Sequence, residues 1–192
     1  MEETIIIYRD FDSPLGEMIA GATPKGVCFL EWHERGGVEQ ILRRVEKRHK
    51  SRPTPGNNAH LDQLESELTG YFSGTRTRFS APIDATGTPF EQAVWAQLLT
   101  IPYGQVRSYG DIATAIGRSG ASRAVGRANG ANCLSIVVPC HRVIESNGNL
   151  RGYGGGLWRK KWLLELEQGG GVPVVDRHAG AASMVGRALR LL

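Results

Sequence analysis

Residues 108–129 read SYGDIATAIGRSGASRAVGRAN and decide the fold of the second half of the chain. Ser108 and Asp111 have the spacing of a capping box, so a helix begins here. Apolar positions continue this helix to Gly117, and a short turn leads to a second helix at about residues 121–129 that is rich in Ala, Gly and Arg. Two short helices around a glycine-containing turn are typical of a helix-turn-helix. The same spacing occurs in helix pairs that do not bind DNA, so this stretch alone leaves both interpretations open.

The basic charge of the chain is concentrated around this stretch. The 192 residues carry 23 Lys+Arg and 19 Asp+Glu, which gives a formal net charge of +4 and a pI near 9.1. Residues 107–161 hold 9 basic and 2 acidic side chains, whereas residues 1–106 hold 11 basic and 14 acidic ones. This asymmetry predicts a polyanionic partner for the second half of the chain.

Composition excludes several other classes of protein. No segment approaches the roughly 18 apolar residues of a membrane helix, and the N-terminal Met1-Glu2-Glu3-Thr4 is too acidic for a targeting signal. Three cysteines without framework spacing favour thiols in a reducing compartment over disulfides. We therefore expect a cytoplasmic protein that does not associate with membranes.

Apolar patterns outline the remaining elements. Residues 4–32 are typical of strands, and apolar stripes predict helices over residues 38–50 and 60–72. Residues 135–138 predict a short buried strand or extended run. A last helix is expected at residues 157–168, and its inward-facing side chains would be Trp158, Trp162, Leu163 and Leu166.

The length fits one large domain or two small ones. Residues 79–88 are typical of a passage between domains, and Thr88-Pro89-Phe90-Glu91 has the sequence of a helix start with a capping box. We therefore expect an N-terminal α/β domain at residues 1–85, a C-terminal domain at residues 86–168, and a flexible tail at residues 169–192.

Cys140-His141 is the sharpest local chemical feature. The pair follows Pro139 within the basic stretch, where cationic neighbours favour a thiolate, and precedes a glycine-rich loop at residues 152–156 that could approach a ligand closely. A thiolate beside a histidine, with a third group orienting the imidazole, is an activated nucleophile. Glu165 and Glu167 are candidate orienting carboxylates, and Glu165 is expected on a solvated helix face. The alternative is a small buried thiol followed by a structural histidine.

Several strings together resemble one known family, the O6-alkylguanine-DNA alkyltransferases, also called methylated-DNA–protein-cysteine methyltransferases. The strings are Ile101-Pro102-Tyr103-Gly104, Ser108-Tyr109, Ser122-Arg123-Ala124-Val125-Gly126, Asn132, Val138-Pro139-Cys140-His141-Arg142-Val143-Ile144, Gly152-Tyr153 and Trp162-Leu163-Leu164 with Glu167. The close resemblance covers about residues 86–168. It implies a ribonuclease-H-like α/β N-terminal domain and a mostly α-helical C-terminal domain with a winged helix-turn-helix.

The resemblance also implies a reaction: irreversible transfer of the alkyl group from O6-alkylguanine in DNA to Cys140, once per protein molecule and without a cofactor. It leaves O4-alkylthymine open as a second substrate. His141 would act as base through a bridging water, and Glu167 would hold its tautomer. Tyr109 would donate its hydroxyl to the leaving guanine, and Asn132 would tie the helix-turn-helix to the segment that carries the cysteine. Such a displacement at saturated carbon suits a soft thiolate nucleophile.

The same resemblance implies how DNA is held. Arg123 would fill the space left by a base rotated out of the duplex, with the second helix in the minor groove. The implied DNA-binding residues are Ser122, Arg123, Ala124, Gly126, Arg127 and Tyr109. The implied substrate pocket comprises Ser135, Val143, Tyr153, Gly154 and Gly155. Binding to double-stranded DNA would be independent of sequence and sensitive to salt, and the protein would be a monomer.

The sequence argues against two other functions and against a metal site. Alkyltransferase-like proteins that only bind damaged DNA lack the nucleophile, whereas this chain has Cys140. A cysteine hydrolase would need an oxyanion hole, for which the sequence gives no signal. Some relatives bind zinc in the N-terminal domain, but Cys28 and His33 lack a second matching pair. We therefore predict no metal and expect Cys28 and Cys133 to be buried.

Overall fold

The computed structural model describes residues 5–169, 171–173 and 175. The chain divides into two compact units: one comprises the chain up to Gly87 together with Cys133–Ser135, and the other comprises Thr88–Asn132 and the chain from Ile136 onward. The expected tail at residues 169–192 lies almost entirely outside the described residues. No helix in the described ranges is long and apolar enough to cross a membrane.

The first unit is built on a four-stranded sheet. Its strands are β1 (Ile7–Phe11), β2 (Met18–Thr23), β3 (Gly26–Trp32) and β4 (Thr54–Pro55). The order across the sheet is β3-β2-β1-β4; the first three pair antiparallel, and β4 pairs parallel with β1. The strands predicted within residues 4–32 are therefore confirmed.

Two helices complete this unit. They are α1 (Val38–His49) and α2 (Ala59–Phe72), which confirms both predicted helices. The apolar stripe of α1 packs Ile41 and Val45 with Ile19 and Phe29 of the sheet in one buried cluster. Such burial of apolar side chains is the main stabilising contribution to a unit of this size.

The second unit is mostly helical. Its elements are α3 (Pro89–Leu99), β5 (Arg107–Ser108), α4 (Tyr109–Ala115), α5 (Ser122–Gly130), β6 (Val143–Ile144) and α6 (Leu157–Glu167). Both predicted capping boxes are present: Thr88 with Glu91 begins α3, and Ser108 with Asp111 begins α4. The helix pair α4–α5 is the predicted helix-turn-helix.

A two-residue parallel ladder pairs β5 with β6 in this unit. Arg107 of β5 pairs with Val143 of β6, and Ser108 pairs with Ile144. Because α4 begins directly after β5 and the Cys140–Arg142 3-10 turn directly precedes β6, this ladder holds the start of the helix-turn-helix beside the cysteine segment. The pairing therefore sets the distance between the two motifs found in the sequence.

The prediction of a strand or extended run at residues 135–138 is wrong. These four residues are buried, as expected, but they form a turn. Ile136 has a φ of 69°, a left-handed backbone conformation that a strand does not contain and that a β-branched side chain rarely adopts. The pairing stops one residue earlier, where Leu134 forms an isolated bridge with Leu30 in the first unit.

Two expectations about burial also need correction. Cys133 is half-buried, and the Arg48 guanidinium donates to its Sγ at 2.9 Å. Trp158 is half-buried and stacks under the Arg159 guanidinium, 4.3 Å from the ring centroid. On α6 the buried residues include Arg159 and Lys160 together with the expected Trp162, Leu163 and Leu166.

Candidate active site

Cys140 begins a 3-10 turn after Pro139 and is 5% exposed. Two asparagines from the end of α5 and just beyond it hold the backbone around this residue. Asn129 Nδ2 donates to the Cys140 carbonyl at 3.2 Å, and Asn132 Nδ2 donates to the Val138 carbonyl at 2.9 Å. The turn that presents the thiol is thus fixed by side chains of the helix-turn-helix segment.

His141 follows the thiol and is completely buried. Its Nε2 donates to Oε1 of Glu167 at 2.8 Å. In a neutral imidazole that donates through Nε2, Nδ1 carries the lone pair, and Nδ1 makes no hydrogen bond within the described part of the chain. Burial lowers the pKa of His141, although the Glu167 carboxylate partly counteracts burial. The imidazole is therefore neutral at pH 7, with a basic nitrogen available.

Three other groups fix the Glu167 carboxylate. Arg142 donates Nε to Oε2 at 2.8 Å and Nη2 to Oε1 at 3.0 Å, and the Gly104 amide donates to Oε2 at 3.2 Å. Burial alone would raise the pKa of this carboxyl, but its charge and hydrogen-bond interactions with His141 and Arg142 lower the pKa below its ordinary value. Glu167 is therefore an anion in a buried site.

Gly104 cannot be another residue here without rearrangement. Its φ is 77°, and a Cβ atom would lie 2.7 Å from the Glu167 carbonyl oxygen. Arg142 also donates Nη1 to the Ile101 carbonyl at 2.6 Å, so the chain between Ile101 and Gly104 is tied to the same ion pair. These contacts explain why the Ile101-Pro102-Tyr103-Gly104 string accompanies the cysteine motif.

Tyr109 occupies the first turn of α4 and is half-buried. Its hydroxyl donates to the Arg151 carbonyl at 3.0 Å. Burial and, after it, the charges of Cys140 and Glu145 raise the pKa of the Tyr109 hydroxyl to about 12. The hydroxyl is therefore a protonated donor at neutral pH.

Lys160 is an unexpected member of this site. The side chain is completely buried on α6, and Nζ donates to the carbonyls of Val143 at 2.6 Å and Arg151 at 2.7 Å. Burial lowers the pKa of Lys160 to about 8, against the opposing effect of Cys140 and Glu145. A basic side chain thus lies within the electrostatic range of the thiol.

The residues expected in a substrate pocket are only partly brought together. Val143 is buried and accepts from Lys160, and the half-buried Tyr153 ring lies edge-on to His141 with 6.5 Å between centroids. Gly154 is exposed and Gly155 is buried. Ser135 is buried in the first unit, where its amide donates to the Leu30 carbonyl.

Helix α5 presents a basic outer face. Val125 and Ala128 are buried, and Trp95 anchors the helix by donating Nε1 to the Ala128 carbonyl at 2.9 Å. Arg123 and Arg127 are exposed. The small or polar residues next to them are half-buried: Ser122, Ala124 and Gly126. The face can therefore contact a polyanion closely without bulky side chains.

Comparisons with known proteins bear on this site. A family model described as "6-O-methylguanine DNA methyltransferase, DNA binding domain" matches residues 89–169. A Mycobacterium tuberculosis protein named methylated-DNA–protein-cysteine methyltransferase is 46% identical over 168 residues, which cover 85% of this chain and 93% of the relative. The chain belongs to the methylated-DNA–protein-cysteine methyltransferase family. The resemblance found in the sequence is thereby confirmed.

Solved structures of this methyltransferase family agree with the fold. The crystal structure of Mycobacterium tuberculosis O6-methylguanine methyltransferase has a TM-score of 0.74 and 43% identity, covering 90% of this chain and 97% of that one. A structure of the Mycobacterium tuberculosis protein in complex with DNA has a TM-score of 0.70 and 45% identity, covering 84% and 92% of the respective chains. The predicted fold class, an α/β N-terminal domain with a helical C-terminal domain, is confirmed.

Sequence reasoning missed three residues of this methyltransferase site. Arg142 was part of the recognised string but received no role, and Asn129 and Lys160 were not singled out. Asn129 could have been found from its spacing of one helical turn from Asn132. Lys160 gave no signal, because Arg159-Lys160-Lys161 has the pattern of a solvated helix face. Among the described residues, no group of three or more His, Cys, Asp or Glu side chains could hold a metal ion.

Proposed function

We propose that this protein repairs DNA by moving the alkyl group of O6-alkylguanine to Cys140. The observation that carries the proposal is the buried Cys140–His141–Glu167 arrangement, in which a thiol adjoins a neutral imidazole oriented by an anion. The named activity of the relatives, transfer from methylated DNA to a protein cysteine, requires a nucleophilic cysteine. Of the three cysteines, only Cys140 directly precedes a histidine. It lies within residues 89–169, which the family model matches.

The chemical step is a displacement at saturated carbon. The thiol proton passes to Nδ1 of His141 through a bridging water, and the Cys140 sulfur forms a bond to the alkyl carbon as the bond from that carbon to guanine O6 breaks. The electron pair of the broken bond stays with the guanine. Tyr109 donates a hydrogen bond to the ring as negative charge develops. The guanine takes up one proton from water in place of the alkyl group, and the His141 imidazolium returns its proton to water, so no net charge is left. No other reactant or cofactor is needed.

The product explains why each molecule acts once. The sulfur ends as a thioether, which is not a leaving group that water displaces readily. A hydrolase built on the same pair would instead release an acyl group with the help of an oxyanion hole. The Gly104 amide, a backbone donor at this site, already donates to Glu167 at 3.2 Å.

DNA is held by α5 in this proposal. Arg123 is exposed on this helix and takes the place of the base that rotates into the site, and the small side chains around it permit entry into the minor groove. Arg127 contacts phosphate. Because these contacts are to the DNA phosphates and the walls of the groove, binding is independent of sequence and weakens steeply with salt. The protein acts as a monomer, and its reactive thiol suits a reducing cytoplasm.

The test compares two cysteine variants. Cys140→Ala is expected to bind duplex DNA as wild type does and to remove no methyl group from O6-methylguanine, whereas the control Cys133→Ser is expected to repair one lesion per molecule, as wild type does. The readout is lesions removed per mole of protein at excess substrate. Repair by Cys140→Ala, or several turnovers by wild type, would overturn the proposal.

A further inference from the structure

The Arg151 carbonyl accepts hydrogen bonds from two side chains on different helices. Tyr109 of α4 donates its hydroxyl at 3.0 Å, and Lys160 of α6 donates Nζ at 2.7 Å. A carbonyl oxygen has two lone pairs, so two donors saturate it. Arg151 directly precedes Gly152, whose φ is 56° and whose added Cβ would meet the Tyr109 hydroxyl at 3.4 Å. The hydroxyl, the carbonyl and the loop are thus in close contact.

Lys160 is an unusual residue for its position. Lysine is almost never fully buried without a partner, and the partners the structure gives Nζ are two backbone carbonyls, those of Val143 and Arg151. Charged and titratable groups that interact electrostatically with it include Cys140, Glu145 and His141, and the Tyr109 ring centroid is 6.0 Å away. An apolar side chain would avoid the desolvation that the lysine suffers but would withdraw a donor from both carbonyls.

The Tyr109 hydroxyl cannot donate to the Arg151 carbonyl and to the guanine at the same time. A phenol hydroxyl carries one proton. In the structure this proton goes to the Arg151 carbonyl, whereas in the proposed reaction it goes to the guanine. Entry of the base therefore takes a donor away from the Arg151 carbonyl, and that carbonyl competes with the base for the hydroxyl.

We propose that Lys160 is a positioning residue that releases the Tyr109 hydroxyl to the substrate base. The ammonium stays on the Arg151 carbonyl when the hydroxyl leaves, so the oxygen keeps a donor. While both are bound, the ammonium also draws electron density from the oxygen and makes it a weaker acceptor for Tyr109. The inference rests on the proposed function, because it requires that Tyr109 donates to the leaving guanine.

A double-mutant cycle with Tyr109→Phe separates this role from simple support of the fold. Lys160→Met is expected to slow the first-order step of methyl transfer from O6-methylguanine in duplex DNA by about 10- to 100-fold, with unchanged affinity for the duplex. In the Tyr109→Phe background there is no hydroxyl to release. Adding Lys160→Met there is expected to change the rate by less than about two-fold, the margin within which independent effects are resolved. The control is Lys161→Met, since Lys161 is half-buried and 4.0 Å from Glu165; it is expected to react as wild type does.

The possible results separate a failure of this inference from a failure of the proposed function. If Lys160→Met slows transfer by the same factor in both backgrounds, or not at all, Lys160 does not act through Tyr109 and the inference is overturned while the proposed function stands. If Tyr109→Phe reacts at the wild-type rate, the role of Tyr109 falls and this inference falls with it. If thermal unfolding shows that Lys160→Met is unfolded at the assay temperature, Lys160→Gln is put through the same cycle, with the same coupling expected and additivity again the contrary result.

Discussion

His141 Nε2 and Glu167 Oε1 lie 2.8 Å apart, and both side chains are completely shielded from solvent. Arg142 binds the same carboxylate through two nitrogens. Because a buried carboxylate without partners is strongly unfavourable, the arginine allows Glu167 to remain ionised while it orients the imidazole. The ionised carboxylate thereby fixes Nε2 as the nitrogen of His141 that bears the proton and leaves Nδ1 as the basic one.

Replacing the carboxylate by an amide tests this arrangement. Glu167→Gln keeps the size of the side chain but removes the charge that stabilises the imidazolium formed when His141 takes the thiol proton. We expect methyl transfer to slow by about 100-fold, measured in single-turnover assays with duplex DNA containing O6-methylguanine. Glu165→Gln on the same helix is the matched control and is expected to react normally, because Glu165 is half-buried beside Lys161. A Glu167→Gln variant with the wild-type rate would mean that the carboxylate does not act on His141.

The pH dependence of transfer follows from the direction of the His141 shift. Burial lowers the pKa of His141 from its ordinary value of 6.5, so the neutral base persists to lower pH than in a free histidine. We expect the rate to fall on the acid side with a midpoint below 6.5. In Glu167→Gln the midpoint moves lower still, since the carboxylate raises the pKa of His141. Rates measured from pH 4 to 8 check both, and a midpoint above 6.5 in wild type would contradict the proposed role of the neutral imidazole.

Arg123 is expected to affect the rotation of the base out of duplex DNA and not the transfer of the alkyl group. Arg123→Ala should slow repair of O6-methylguanine in a duplex by about 10-fold or more, since the unstacked base loses the side chain that replaces it. Reaction with the free base O6-methylguanine should be unchanged. Arg52→Ala, an exposed arginine of the first unit, serves as the control with no loss on either substrate. Equal losses with the duplex and the free base would show that Arg123 supports the site and not the flipped base.

Local sequence signals determined which parts of the fold could be predicted. The helix starts at Thr88 and Ser108 follow from side chains three residues apart, so sequence alone places them. The Cys140-His141 pair was visible because both residues are adjacent in the chain. Its partner Glu167 was found as one of two candidate carboxylates and through a family resemblance, since 26 residues separate it from His141.

The features that escaped prediction depend on contacts between distant segments. The apolar run at residues 135–138 has the composition of a strand, but pairing with Leu30 ends at Leu134 and the backbone turns at Ile136. Lys160 has the sequence environment of a solvated lysine, and only the carbonyls of Val143 and Arg151 give it a buried position. In both cases the amino-acid type favours a different backbone conformation or a different burial from the one observed, so intrinsic propensity predicts the wrong structure.

The identity of the methylated atom tests whether Cys140 is the alkyl acceptor. Wild-type protein is incubated with duplex DNA containing O6-methylguanine and digested with trypsin, and the peptide of residues 128–142 is fragmented in a mass spectrometer. This peptide contains both Cys133 and Cys140, so the fragment ions between them assign the site. We expect one added methyl group on the Cys140 sulfur and none on Cys133. A methyl group on Cys133 or Cys28, or loss of the lesion with an unmodified Cys140, would contradict it.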